Sequence, residues 1–333
     1  MKRKFQCIAF SQNEEKFIFV GTTSADFFII DHKNKTLVSV VSVGSLGVTQ
    51  IISLSPENIL VGCGNGTLAK YSFDSKGWHL TSSLAVKAPI ASLSATNKEV
   101  IVATGMPQAL VINKQTFQPF LFQESHNAKI NLLRFRDGDN NLFGAASDDG
   151  IIRLWDLATR TVKGRIEIGD QSVPRSFQIR ADLLYAGWSD WSIKMHDINS
   201  GKMIWSIDKS HKGSVSAIDL STNNKIMCTG GQDGTVRLWN LSTKGLLFSL
   251  QEHAGEITKV HLVPGDQHLF TSSKDKSIFL WNLEKQKRVQ GFYHSFGSVN
   301  AFDVFGDGNS LLSTGQDRKI SFWDIRTPAP VGR

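Results

Sequence analysis

The stretch GQDGTVRLWNL, residues 231–241, decides the fold because closely similar stretches recur along the chain. Its tryptophan, Trp239, is followed at steps of 42 residues by Trp281 and Trp323, and Trp155 lies two such steps earlier. These tryptophans stand in the phrases SDDGIIRLWDL, SKDKSIFLWNL and GQDRKISFWDI. A fixed period of roughly 20–50 residues is the signature of a repeat architecture.

Weaker copies of the phrase fill the rest of the chain. One occupies the gap before Trp239 as SDWSIKMHDI, and three precede Trp155 as SADFFIIDH, NGTLAKYSFD and MPQALVINK. The sequence therefore predicts eight repeats that span residues 1–333 as one domain, anchored near Ile30, Tyr71, Ile112, Trp155, His196, Trp239, Trp281 and Trp323.

Each repeat contains short alternating or apolar runs separated by turn residues. In the sixth repeat these runs are VSAIDLS, KIMCTGG, TVRLWNL and GLLFSLQ, and no segment has sustained helical periodicity. Four antiparallel strands in a unit of about 42 residues are typical of a β-propeller blade. The predicted fold class is an all-β propeller of eight four-stranded repeats.

Composition limits the classes of protein to consider. The 333 residues are 41% apolar and 20% charged, which suffices for an extensive core. No apolar run approaches the roughly 18 residues of a transmembrane helix, and the run from Phe5 is too short for a secretion signal. The three cysteines lack metal-ligand spacing, so we expect a reducing compartment with neither disulfide nor metal. The net charge of +7 favours acidic partners.

The repeats resemble those of WD-repeat proteins, in which four side chains of a blade form a hydrogen-bonded set, here called a tetrad. The resemblance covers nearly the whole chain and implies three complete tetrads: His211, Thr229, Asp233 and Trp239; His253, Thr271, Asp275 and Trp281; and His294, Ser313, Asp317 and Trp323. The fourth repeat keeps His126, Asp149 and Trp155 but has Ala145 in the hydroxyl position, and repeats one to three lack the set.

A hydroxyl, an imidazole and a carboxylate together also suggest a catalytic relay. A catalytic constellation would occur once, in a pocket, whereas these sets recur at blade spacing. The glycine-rich GCGNG of residues 62–66 has no helix behind it and is interpreted as a turn. We therefore expect no enzymatic activity, no cofactor and no small-molecule substrate.

Four segments, residues 2–30, 47–68, 187–239 and 311–325, resemble in the same order the family of cilia- and flagella-associated protein 52. The resemblance implies a structural protein of the ciliary or flagellar axoneme, bound inside doublet microtubules beside tubulin and other axonemal proteins. That family is nearly twice as long, so this chain is either a compact paralogue or one part of a split double propeller.

Two other classes stay open. Residues 323–326 read WDIR, which resembles the WDxR tag of ubiquitin-ligase substrate receptors and implies a cytoplasmic or nuclear adaptor. The basic charge alone favours a nucleic-acid-binding propeller, but no long Lys/Arg tract supports it. Membrane binding is not expected.

Ring closure is a separate question because the chain ends at Arg333 without an obvious outer strand. Residues 1–5 would supply a short one; otherwise the ring is open or another chain completes it.

Candidate partner-binding residues lie in turns. Trp188 and Trp191 flank Asp190 in the turn of repeat five, where small residues usually stand, so exposed indoles there would be binding anchors. The alternative is that Trp188 covers the neighbouring blade. The densest basic cluster, Lys285, Lys287 and Arg288, is expected in the turn between the third and fourth strands of repeat seven, and tubulin is its expected acidic partner. Corresponding turns of other repeats also carry basic residues, among them Lys33, Lys35, Lys76, Lys114, Arg160, Lys202 and Lys244.

Overall fold

The computed structural model describes residues 4–12, 16–122, 124–139, 141–169, 171–293, 297–304, 310–315, 320–327 and 330–332. These residues form 32 strands and contain no helix. The first sixteen strands are β1 Phe5–Phe10, β2 Phe17–Thr22, β3 Asp26–Asp31, β4 Thr36–Ser42, β5 Val48–Ser55, β6 Asn58–Cys63, β7 Thr67–Asp74, β8 Gly77–Ala85, β9 Ile90–Ala95, β10 Glu99–Thr104, β11 Ala109–Asn113, β12 Pro119–Leu121, β13 Ile130–Phe135, β14 Leu142–Ser147, β15 Ile151–Asp156 and β16 Thr161–Glu167. The remaining strands are β17 Pro174–Arg180, β18 Leu183–Trp188, β19 Ile193–Asp197, β20 Met203–Ile207, β21 Val215–Leu220, β22 Ile226–Gly231, β23 Val236–Asn240, β24 Gly245–Leu250, β25 Ile257–Leu262, β26 His268–Ser273, β27 Ser277–Asn282, β28 Lys287–Tyr293, β29 Val299–Val304, β30 Ser310–Gly315, β31 Ile320–Asp324 and β32 Pro330–Gly332.

Each run of four consecutive strands forms one antiparallel sheet in simple chain order, which gives eight four-stranded sheets. They are called blades 1 to 8 in chain order. The prediction of an all-β propeller of eight four-stranded repeats is confirmed. Every repeat anchor, from Ile30 to Trp323, lies on the third strand of its blade. The first strands of seven blades contribute residues to the lining of a central cavity of about 470 Å³.

The core lies between blades because each sheet buries both faces. Eight clusters of buried apolar side chains join consecutive blades. Close approach requires small residues on the second strands. At Gly187 of β18, for example, a Cβ atom would lie 2.5 Å from a side-chain carbon of Val215 on the next blade. A side chain at position 187 would therefore push blades 5 and 6 apart.

The ring closes within this chain, so the expectation that residues 1–5 or another chain would supply an outer strand is wrong. Blade 8 has its own outer strand, β32, and Phe5 instead begins β1, the innermost strand of blade 1. Phe5, Ile18 and other residues of blade 1 pack in one buried cluster with Leu312 and Phe322 of blade 8. Closure thus depends on apolar packing between the first and last blades.

Candidate functional site

The tetrad of blade 6 forms one continuous hydrogen-bonded chain. The Trp239 indole N–H donates to Thr229 Oγ1 at 2.9 Å, and Thr229 Oγ1 lies 2.9 Å from His211 Nε2. His211 Nδ1 lies 3.2 Å from Asp233 Oδ1, and the Lys212 backbone N–H donates to Asp233 Oδ2 at 2.8 Å. The tryptophan lies on the third strand and the threonine hydroxyl on the second. The hydrogen bonds therefore connect these two strands to the turn that carries Asp233 and to the loop that carries His211.

The tetrad of blade 7 has the same geometry. Thr271 Oγ1 accepts from the Trp281 indole at 2.8 Å and lies 2.8 Å from His253 Nε2. His253 Nδ1 lies 2.8 Å from Asp275 Oδ2. In blade 8, Trp323 donates to Ser313 Oγ at 2.7 Å, whereas the other two members, His294 and Asp317, lie outside the described residues.

Sequence reasoning missed a fifth member of the set. Two residues after the aspartate, Thr235 of blade 6 and Ser277 of blade 7 donate from their hydroxyls to Asp233 and Asp275 at 2.7 and 2.5 Å. The signal was present as the spacing Asp-x-Thr/Ser. These hydroxyls bring the aspartates to a full set of donors, so the buried carboxylates stay ionised.

The titration behaviour of blade 6 follows from this arrangement. Burial would raise the pKa of Asp233, but hydrogen bonds from His211, the Lys212 N–H and Thr235 outweigh it and hold the pKa well below its usual range. Burial lowers the pKa of His211 and outweighs the opposing effect of Asp233. A neutral imidazole between a hydroxyl and a carboxylate is the state that the hydrogen-bond chain requires.

Blade 4 shows what the loss of the hydroxyl does. His126 Nδ1 lies 2.9 Å from Asp149, which Arg153 also contacts at 2.8 Å. His126 Nε2 and Trp155 Nε1, however, are buried and have no hydrogen-bond partner among the described residues. Ala145 lies at the position of Thr229, since both face the second residue before the tryptophan on the third strand.

The tetrad histidines that the structure describes are internal to the blades. The side chains of His126, His211 and His253 are at most 1% exposed, and none of the described tetrad residues lines the central cavity. The described residues also hold no cluster of three or more His, Cys, Asp or Glu side chains suited to a metal ion. They include no helix long and apolar enough to span a membrane.

Trp188 and Trp191 have different environments. Trp188 is fully buried in the cluster between blades 4 and 5, so the prediction that it is an exposed anchor is wrong and it covers the neighbouring blade instead. Trp191 is 46% exposed and has a φ of +74°. Glycine occupies the same turn position in three other blades, at Gly66, Gly150 and Gly234, all with positive φ.

The three residues of the predicted basic cluster of blade 7 lie in two different elements. Lys285 lies in the turn, but Lys287 and Arg288 begin strand β28, so the expectation that all three lie in the turn is wrong. The Arg288 guanidinium lies 4.5 Å from the centre of the Phe279 ring and pairs with Glu252 at 3.1 Å. All three residues are exposed, but the Arg288 guanidinium is engaged by these two contacts.

Comparison with protein families shows which kind of repeat the blades contain. Residues 117–156, 201–240, 244–282 and 286–324 match the family described as "WD domain, G-beta repeat". These segments include the third strands of blades 4, 6, 7 and 8 and their tryptophans. These four segments carry WD repeats, and the ring in which they lie is an eight-bladed β-propeller.

Among curated proteins, the chain is similar to cilia- and flagella-associated protein 52 of Bos taurus, at 24% identity over 72% of this chain and 39% of that protein. It is likewise similar to cilia- and flagella-associated protein 52 of Chlamydomonas reinhardtii, at 26% identity over 72% of this chain and 40% of that protein. The chain thus spans about two fifths of the length of these relatives. A shorter match, 30% identical over 34% of this chain and 32% of that protein, is to a guanine nucleotide-binding protein subunit beta of Solanum tuberosum.

Solved structures support the fold alone. The computationally designed Ika8 protein superimposes with a TM-score of 0.83 at 20% identity and covers 97% of both chains. Sqt1 of Saccharomyces cerevisiae gives a TM-score of 0.83 at 14% identity and covers 96% of both chains. At these identities the likeness carries no functional argument.

Proposed function

We propose that this chain is a non-enzymatic structural WD-repeat protein of the cilium or flagellum, bound to the axoneme through tubulin and other proteins of the doublet microtubules. The observation that carries the proposal is the match to cilia- and flagella-associated protein 52, which extends over 72% of the chain. The match to the G-protein beta subunit extends over only 34%.

The structure is suited to such a role for physical reasons. The tetrads are buried and hold turns to blades, and eight apolar clusters join the blades around the ring. A closed ring of blades fixes the relative positions of its outer surfaces. The proposed partner contacts are Trp191 in the turn of blade 5 and, in blade 7, the exposed Lys285 in the turn and Lys287 at the start of β28.

The test is fractionation of ciliated cells that express the tagged chain. We expect the protein in cilia, and after membrane extraction with detergent we expect it in the axonemal pellet with the microtubules. An adaptor would be released into the soluble fraction. A protein that is absent from cilia, or that detergent releases completely, would overturn the proposal.

A cytoplasmic or nuclear adaptor, such as a ubiquitin-ligase substrate receptor, is the second candidate. One observation favours it: the side chain of Arg326 in the WDIR tag is 71% exposed. Its guanidinium is, however, held on Asp324 by two hydrogen bonds of 2.8 and 2.7 Å. The adaptor interpretation expects Arg326→Ala to abolish binding to a ligase adaptor, whereas the axonemal interpretation expects no change in axonemal retention.

A further inference from the structure

Three consecutive blades expose apolar side chains at the start of their outer strands. Strand pairing places Met203, Leu246 and Arg288 opposite the anchor residues of blades 5, 6 and 7, and one residue follows each of them on the same strand. Five of these six residues are apolar and between 42% and 56% exposed, and together they are called the apolar belt: Met203, Ile204, Leu246, Leu247 and Val289.

Two of these three strands lack the charges that usually protect sheet edges, whereas β28 begins with Lys287 and Arg288. Outer strands are edges, and soluble proteins commonly place charges on them to prevent association. Strands β20 and β24 read MIWSI and GLLFSL and contain no charged residue. On blade 4 the corresponding strand reads TVKGRIE, so the belt ends there at Lys163. Exposed apolar side chains at equivalent positions of three neighbouring blades indicate an interaction surface.

The charge beside the belt indicates the chemistry of the partner. Lys202, Lys244, Lys285 and Lys287 precede or begin the same three strands and are exposed. The carboxylates of Asp197 and Glu284, on the same side, offset two of these four positive charges, so an excess of positive charge remains. A surface of this kind complements acidic side chains that alternate with apolar ones.

We infer that the apolar belt and its four lysines bind a protein segment that is acidic and carries apolar side chains. This inference rests on the proposed function in that it names the surface by which the chain would be held on its partner. Blade 1 offers a matched comparison because Leu37 and Val38 occupy the same two strand positions and are 57% and 46% exposed. They lie outside the belt.

The direct test uses purified protein and a short fluorescein-labelled peptide of repeated Glu-Leu-Glu units, with a Lys-Leu-Lys counterpart as the charge control. We expect binding of the acidic peptide alone. The variant Leu246→Ser/Leu247→Ser should weaken it about tenfold or more, because burying the exposed halves of both leucines together contributes at least the free energy of a tenfold change. The variant Leu37→Ser/Val38→Ser should bind as the wild type does. Both should melt near the wild-type temperature, since the substituted side chains are exposed.

Four results would overturn the inference: no binding of the acidic peptide, equal binding of the basic one, equal loss in the blade 1 variant, or a wild-type dimer that the belt variant abolishes. The last result would assign the surface to a second copy of the chain. Retention on salt-washed axonemes separates this inference from the proposed function. Wild-type protein that binds the peptide but is not retained contradicts the axonemal role alone, and equal retention of wild type and belt variant contradicts the belt alone.

Discussion

Ala145 of blade 4 occupies the position that Thr229 occupies in blade 6, so the Trp155 indole N–H has no hydrogen-bond partner among the described residues, whereas the Trp239 indole donates to Thr229 at 2.9 Å. The missing hydroxyl leaves two buried polar atoms unsatisfied, Trp155 Nε1 and His126 Nε2. Each unsatisfied buried group costs about 1–3 kcal/mol. Blade 4 therefore contains a defect that a single substitution repairs.

Ala145→Ser should stabilise the protein. Its hydroxyl can accept from Trp155 and donate to His126, and we expect a gain of about 0.5–1.5 kcal/mol in the free energy of unfolding. Urea denaturation of purified protein measures it. Ala146→Ser is the control, since Ala146 is also fully buried but adjoins neither orphan atom, and it should destabilise. A loss of stability in both variants would contradict the account of the tetrad.

Asp233→Ala should destabilise by about 1–3 kcal/mol, because His211, Thr235 and the Lys212 N–H lose their acceptor inside the fold. Ser24→Ala is the comparison, since Ser24 occupies the same turn position in blade 1. Its buried hydroxyl oxygen has no hydrogen-bond partner, so its removal should not lower the stability. Thermal melts report both, and equal shifts would show that the tetrad adds no stability.

Acid should weaken the fold in two steps. Burial lowers the pKa of His126 and of His196 from 6.5 to about 4, so both are neutral in the folded state while the unfolded chain takes up protons. The free energy of unfolding therefore decreases as pH falls from 6.5 towards 4. The pKa of Asp149 is lowered from 3.8 to about 2 because hydrogen bonds from Asn127, Arg153 and His126 outweigh burial, which raises it. The contribution of Asp149 is lost below pH 3.8.

Melting temperature as a function of pH tests this account. The variant His196→Phe should show a shallower fall between pH 6.5 and about 4, since it removes one buried imidazole that must be protonated on unfolding. A rising melting temperature in that window would contradict the assignment of neutral buried histidines.

Trp191→Gly should weaken binding to the axoneme while leaving the stability of the fold nearly unchanged. The left-handed backbone costs a non-glycine residue about 1–2 kcal/mol, and relief of this cost should offset the contacts that the half-exposed ring loses. We expect nearly unchanged unfolding and reduced retention on axonemes. Lys276, in the same turn position of blade 7 with a φ of +78°, gives the control. Lys276→Gly should stabilise without affecting retention, and unchanged retention of Trp191→Gly would remove this residue from the binding surface.

Reversal of Lys285 and Lys287 to Glu should weaken binding to tubulin more than either single change. Exposed charge pairs contribute only about 0–1 kcal/mol each, but like-charge repulsion across an interface adds to the loss. Arg288 is left intact because its pair with Glu252 and its contact with Phe279 would make a loss of stability hard to separate from a loss of binding. If the double variant cosediments with microtubules as the wild type does, the two lysines do not contribute to tubulin binding.

The sequence predicts most of the fold because the 42-residue period and the short tetrad motifs are local signals. It does not predict what depends on packing between distant elements. Closure by Phe5 against Leu312 joins the two ends of the chain, and no local pattern contains it. Trp188 and Trp191 are nearly adjacent, yet one faces the core and the other solvent, because the turn between them reverses direction at a positive φ. The Arg288 side chain contacts Phe279 and Glu252, which are distant in sequence. No local pattern therefore predicts that Arg288 is engaged there.

Cross-linking of isolated, detergent-extracted axonemes with an amine-reactive reagent, followed by mass spectrometry, tests the central claim most directly. The account predicts that the chain stays with the axoneme and that Lys285 or Lys287 is joined to tubulin. Recovery of the chain in the detergent-soluble fraction, with cross-links to cytoplasmic proteins and none to tubulin or other axonemal proteins, would contradict it.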